Sequence, residues 1–261
     1  MDHGITSPTN DRIKWLVRLR DRKHRDAEGV FVVEGSRLFQ RALAAGLEPI
    51  VTFVSDPDIE VTIGERVGVA PDILDKVSYR SRSQGLISVF EQFDVPLDRL
   101  DPGPVPLLLI VENVEKPGNL GAMCRTASAA GADAIIAVGD TVDRWNPNAV
   151  RSSTGAVFTL PVVTTCWDDV APWLADRGVE IVAATPRADE KLWDIDLTGP
   201  VAIAIGAEDE GLSARAEATA DHLVAIPQSS TSVDSLNASV AAGVGLFEAV
   251  RQRDVGAETA G

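Results

Sequence analysis

Between residues 107 and 251 short apolar runs alternate with stretches of helical character, and this alternation narrows the architecture more than any other feature of the chain. Residues 107–111, 134–138, 180–184, 201–205 and 222–226 read as strands. Their side chains are almost continuously apolar, as expected of strands buried on both faces of a parallel sheet. Residues 120–130, 167–177 and 236–251 read as helices. In the last of these, Leu236, Val240, Val244 and Phe247 recur at helical spacing and mark the face expected to be buried. Residues 254–261 are expected to fray. The fold class that follows is α/β, with a mostly parallel sheet covered by helices on both sides.

The first hundred residues alternate on a smaller scale. Residues 30–33 read as a strand, 36–45 as a helix stopped by Gly46, 50–54 as a strand, 73–77 as a helix and 85–90 as a strand. Residues 94–106 then carry Pro96, Pro102, Gly103, Pro104 and Pro106, which suit neither a helix interior nor a central strand. That stretch reads as a linker, giving domains over 1–100 and 101–261. A chain of 261 residues is long enough for both. No apolar run approaches the roughly 20 residues that span a bilayer, and residues 1–10 lack an apolar signal core, so a cytoplasmic protein is expected. Cys124 and Cys166 form neither a disulfide framework nor a metal pattern, and His3, His24 and His222 are scattered, so no metal is expected.

The net charge of −15 argues against nucleic acid when taken as a sum. Its distribution argues otherwise. Arg12, Lys14, Arg18, Arg20, Arg22, Lys23 and Arg25 fall in one short stretch, opposed by Asp21 alone. Such a run is either a solvated helix face or a grip for phosphates.

In open α/β sheets ligands bind beyond the carboxyl ends of strands, and three segments leave strands with unusual residues. Residues 112–125 contain Gly118 and Gly121, suited to tight turns, and Asn119, suited to capping the next helix, with Arg125 nearly two turns further on. Residues 205–213 put Glu208, Asp209 and Glu210 directly after a buried strand and end on Ser213, a candidate cap. Residues 226–239 cluster Ser235, Asn237 and Ser239 where the last helix begins. Each alone is readable as an ordinary capped or acidic turn. None is a Walker loop or a dinucleotide fingerprint.

Their order is more telling. Asn119-x-Gly121-x-x-x-Arg125, then Gly206-x-Glu208-x-x-Gly211-Leu212-Ser213, then Ile226-Pro227 followed by Ser235-Leu236-Asn237-x-Ser239, resembles the three signature motifs of the SpoU/TrmH group of SPOUT RNA ribose 2′-O-methyltransferases, across about 107–251. Residues 10–100 resemble more loosely the small α/β (L30e-like) RNA substrate-binding domain that precedes this enzyme in many rRNA methyltransferases. That match rests on residues 31–35 (Phe-Val-Val-Glu-Gly) and 83–87 (Ser-Gln-Gly-Leu-Ile).

The resemblance implies a C-terminal trefoil knot, S-adenosyl-L-methionine (AdoMet) as cofactor, a homodimer, and methyl transfer to a ribose 2′-hydroxyl of RNA, with 23S rRNA favoured over tRNA. A noncatalytic RNA-binding protein of the same fold is the rival from another class. By motif match, Arg125, Asn119, Glu208, Ser235 and Asn237 would form the catalytic group. Thr185, Pro186, Gly206, Ala207, Glu208, Gly211, Ile226, Gln228, Ser235 and Leu236 would hold the cofactor, and Ser239 would brace the loop. Arg12, Lys14, Arg18, Arg20, Arg22, Lys23, Arg25 and Arg125 would meet RNA. One departure stands out. The family's usual Ile-Pro-Met-x-Gly is here Ile-Pro-Gln-Ser-Ser over 226–230, with one residue more before Ser235, which implies a different path for the adenine loop.

Overall fold

Successive side chains of a strand point to opposite faces of its sheet, and residues 30–33 fill both faces of the first one. In the computed structural model, which describes residues 4–79, 82–139, 143–229 and 235–259 (side chains to 256), the chain forms two compact units. The first holds the described residues of Met1–Phe93 together with Asp143–Thr159. Its elements begin with α1 (Asp11–Arg18), α2 (Arg22–Glu28), β1 (Val30–Glu34), α3 (Ser36–Ala44) and β2 (Pro49–Val54). They continue with β3 (Glu65–Gly68), α4 (Pro71–Val77) and β4 (Leu86–Glu91). The sheet order is β1-β4-β2-β3, with β4 antiparallel to both neighbours and β3 parallel to β2. Val30 and Val32 pack with Ile13 and Leu16 of α1 and Ile73 and Leu74 of α4. Phe31 and Val33 face the other way, onto Leu38 and Phe39 of α3. Trp145 and Phe158, distant in sequence, join this second cluster, and the Trp145 ring stacks on Phe31 at 4.2 Å between centroids.

The second unit holds the described residues of Asp94–Val142 and Leu160–Gly261. It contains β5 (Leu107–Glu112), α5 (Pro117–Ala129), β6 (Ala134–Val138), β7 (Val162–Thr165), α7 (Trp167–Ala175), β8 (Glu180–Ala184) and β9 (Glu190–Lys191). It ends with β10 (Val201–Ile205), α8 (Ala214–Thr219), β11 (His222–Ala225) and α9 (Ala238–Thr259). Helix α6 (Pro147–Ser152) lies between β6 and β7 in sequence and belongs to the first unit. The order β7-β6-β5-β10-β8-β11-β9 is parallel throughout. Leu108 and Ile110 of β5 pack toward Trp167, Val170 and Leu174 of α7 and Ala216 of α8. Helix α9 packs on α5, β5 and β10.

The units depart from a single boundary near residue 100. Residues 94–106 are not a free linker: Leu100 is buried in the second core, with Val95 and Leu97 packed against it. Residues 143–159 belong to the first unit because Trp145, Val150, Val157 and Phe158 bury their apolar surface there. The edge strands β3, β7 and β9, together with α6, have too little apolar character to be read from the sequence. Asn119 does not cap α5. That helix begins two residues earlier, at Pro117, whose fixed φ suits a first helical position. The left-handed turn before it falls on Asn113 (φ 51°) rather than on a glycine.

Helix α9 overturns two expectations. It runs to Thr259 rather than ending at Arg251 before a frayed tail. It also buries a different face. Ala242, Leu246 and Ala249 are fully buried, while Val240 and Phe247 are 51% and 48% exposed. Close approach decides this. A Cβ on Gly245 would meet Ile203 Cγ2 at 2.9 Å and one on Gly243 would meet Thr126 Cγ2 at 3.3 Å, so only the small-residue face fits against β10 and α5.

Candidate active site

Three strands end side by side at the carboxyl edge of the second sheet: β8, β10 and β11. The segments that leave them enclose a cavity of about 300 Å³. Its wall includes Thr185 and Pro186 after β8, Gly206, Ala207, Glu208 and Gly211 after β10, Ile226 and Gln228 after β11, and Ser235 and Leu236 before α9. All ten residues expected to hold a cofactor are thus brought together. Of the loop that departs from the family pattern, residues 230–234 lie outside the described residues.

The loop after β10 is tightly closed. A Cβ on Gly206 would come within 2.1 Å of the Gly211 carbonyl carbon, so glycine is required there. Gly211 N donates to Ala207 O at 2.9 Å, and Gly211 itself has a φ of 73°. The closure turns Glu208 toward α5.

A hydrogen-bonded chain then joins all three motifs. Asn119 Nδ2 donates to Glu208 Oε1. Asn237 Nδ2 donates to Asn119 Oδ1 at 3.5 Å. Asn237 Oδ1 accepts from Ser239 Oγ at 2.6 Å and from Ser239 N at 3.0 Å. The last contact makes Asn237, rather than a serine hydroxyl, the side chain that caps α9, and Ser239 braces it. Every donor in the chain points toward the Glu208 carboxylate, which fixes the orientation of both amides. Arg125, further along α5, is exposed, and its side chain makes no hydrogen bond or ion pair with another described residue. Its guanidinium is available to an anion.

The basic run divides. Arg12, Lys14, Arg18, Arg22 and Lys23 are exposed on α1 and α2, with Arg12 bridging Glu65 at 2.7 Å and Arg22 bridging Asp26 at 3.1 Å. Arg20 instead donates to Lys76 O and Ser78 O, at 3.1 and 3.0 Å. Arg25 has no exposed surface. It donates to Leu19 O and Arg20 O and pairs with Asp143. Arg25 therefore leaves the set of candidate RNA contacts, because its guanidinium is fully buried and both terminal nitrogens are already bonded inside the first unit.

Asp209 and Glu210, singled out in the sequence as part of an acidic turn, line the cavity too, and so does Arg187, which sequence reasoning missed. Arg187 follows Thr185-Pro186 directly and pairs with Glu217 at 3.1 Å. Its neighbours in sequence were the only available signal. Among the described residues no group of three or more His, Cys, Asp or Glu is arranged to hold a metal ion.

Residues 106–247 match the SpoU rRNA Methylase family, and residues 10–88 match the MRM3-like substrate binding domain. The chain belongs to the SpoU rRNA methylase family. It is 42% identical over 180 residues to the 23S rRNA (guanosine-2′-O-)-methyltransferase RlmB of Ralstonia nicotianae, covering 67% of this chain and 72% of that one. It is 32% identical over 268 residues to the 23S rRNA (uridine(2479)-2′-O)-methyltransferase of Streptomyces viridochromogenes, covering 95% and 92%. A solved AdoMet-bound rRNA methyltransferase from Sinorhizobium meliloti superposes with a TM-score of 0.88 at 33% identity, over 95% of this chain and 97% of that one.

Proposed function

We propose that this protein transfers a methyl group from AdoMet to a ribose 2′-hydroxyl of 23S rRNA. The observation that carries the reading is the chain from Ser239 through Asn237 and Asn119 to Glu208. It joins three motifs far apart in sequence at the rim of one cavity. The names of the relatives given above support the rRNA substrate. Residues near 1–100 are assigned to RNA capture and those near 101–261 to methyl transfer.

The cavity suits the cofactor. Its 300 Å³ lies at the lower end of the roughly 300–1,000 Å³ typical of small-molecule sites. Ile205, Ile226, Leu236 and Ala241 offer apolar walls for a purine, and Glu208, Asp209 and Glu210 offer negative charge to a cationic ligand. AdoMet, when bound, supplies an activated methyl group on a sulfonium. What remains for the protein is to orient the hydroxyl and stabilise its developing negative charge. Arg125 is assigned to that charge and to an adjacent RNA phosphate. An arginine stays protonated near neutral pH, so it serves as cation and donor rather than as base. Asn119, held by Glu208 and Asn237, orients the reacting region, and Ser235 contributes from the cavity wall.

A homodimer belongs to the same reading, supported by the exposed apolar side chains of Val240 and Phe247 on α9. So does the trefoil knot, supported by the crossover order in which β10 lies between β5 and β8. An rRNA substrate assigns the reaction to the cytoplasm. The test is methyl transfer by the purified protein from labelled AdoMet to 23S rRNA, with the product mapped at nucleotide level. A ribose 2′-O-methyl at one position is expected; a base-methylated product or no transfer would overturn the proposal.

A further inference from the structure

Glu112 ends the central strand β5 and is 3% exposed. Among the described residues no cation stands against it, and three donors do. Trp167 Nε1 donates to Oε1 at 2.6 Å, Ser213 Oγ to the same oxygen at 2.7 Å, and Ser213 N to Oε2 at 2.8 Å. Two of the three come from the residue that directly follows the 206–212 loop. A buried carboxylate is costly without such donors, so this grip is strongly specified. The loop it holds is closed on itself through Gly206 and Gly211, carries Glu208, and supplies six residues of the cavity wall. On the other side of Glu112 the chain leads directly into α5, which bears Asn119 and Arg125.

We infer that Glu112 is a positioning residue for methyl transfer: its carboxylate fixes the exit of the 206–212 loop against β5 so that Glu208 meets Asn119. The inference rests on the proposed reading of the cavity as an AdoMet site. It acts through Glu208 and touches neither cofactor nor RNA. Trp167 ties the start of α7 into the same grip and gives the carboxylate a donor independent of the loop.

The experiment is a double-mutant cycle in the full-length protein with Glu112→Gln and Glu208→Gln. Glutamine keeps the volume of Glu112 but sets an N–H opposite a donor. Glu112→Gln is expected to lower kcat/KM for AdoMet by roughly 10- to 100-fold, as loss of positioning does. RNA affinity is expected to hold, because the exposed cations of α1 and α2 and Arg125 are left in place. The double variant is expected to lose no more than Glu208→Gln alone, because residues acting as one unit are not additive. Additive losses, or wild-type activity in Glu112→Gln, would overturn the inference. If Glu112→Gln does not fold, Ser213→Ala, which removes the hydroxyl donor on the loop side of the grip, takes its place in the same cycle with the same two outcomes. Absence of AdoMet binding by the wild type in calorimetry would instead overturn the reading of the cavity, and this inference with it.

Discussion

Asn119 is the residue on which the site turns, since its amide donates to Glu208 and accepts from Asn237. Its replacement by Ala would leave a part-buried carboxylate short of a donor, at about 1–3 kcal/mol, and release Asn237 from α5. Methylation by Asn119→Ala is expected to fall roughly 10- to 100-fold in kcat, measurable with saturating AdoMet. Arg125→Ala differs in kind. The side chain is exposed and supports no other described residue. Methyl transfer should be lost while AdoMet affinity by calorimetry and the melting temperature stay at wild-type values. Unchanged turnover would remove Arg125 from the reaction.

Elements show why a periodic pattern is an incomplete guide. Helix α9 carries apolar residues on more than one side, and spacing alone pointed to the one with the larger side chains, Leu236, Val240, Val244 and Phe247. Packing chose the other face, because Gly243 and Gly245 let the backbone approach Thr126 and Ile203. The two faces predict opposite behaviour. Leu246→Ala, at a fully buried position, is expected to cost about 2–5 kcal/mol of stability in denaturant titration. Phe247→Glu, half exposed, should leave monomer stability intact and shift the mass measured by light scattering from that of the proposed dimer to that of a monomer. A dimer that persists in Phe247→Glu would move the subunit interface elsewhere. The segments around the cavity were more legible than α9, since their order along the chain resembles a family pattern although each alone reads as an ordinary turn.

At the scale of the whole molecule, charge is sorted by position. The chain is acidic overall, yet α1 and α2 expose Arg12, Lys14, Arg18, Arg22 and Lys23. Neutralising Arg18, Arg22 and Lys23 together should weaken RNA binding and flatten its dependence on salt. The log–log slope should fall by roughly 0.7–0.9 for each phosphate that is no longer neutralised. Binding that is unchanged at all salt concentrations would make the run a solvated face. Arg25 is the counter-case. Its replacement by Ala would strand the half of a buried pair carried by Asp143, at about 3–5 kcal/mol, and would be read as a drop in melting temperature rather than as weaker RNA affinity.

Amino-acid order was sufficient for the local properties: which runs become buried parallel strands, where helices follow them, and which strand ends carry polar turns. These depend on periodicity, on backbone freedom and on side-chain type, all of which are present before the chain folds. Which residues meet was settled only by tertiary packing. The same stretch of basic residues yielded exposed Arg18 and fully buried Arg25, because burial depends on Asp143, 118 residues further along the chain. The grip of Glu112 on Ser213 and the bond from Asn119 to Glu208 likewise span 101 and 89 residues. Residues 143–159 join the first unit for the same reason, since apolar surface is buried wherever a matching surface exists and sequence order sets no limit on where that is.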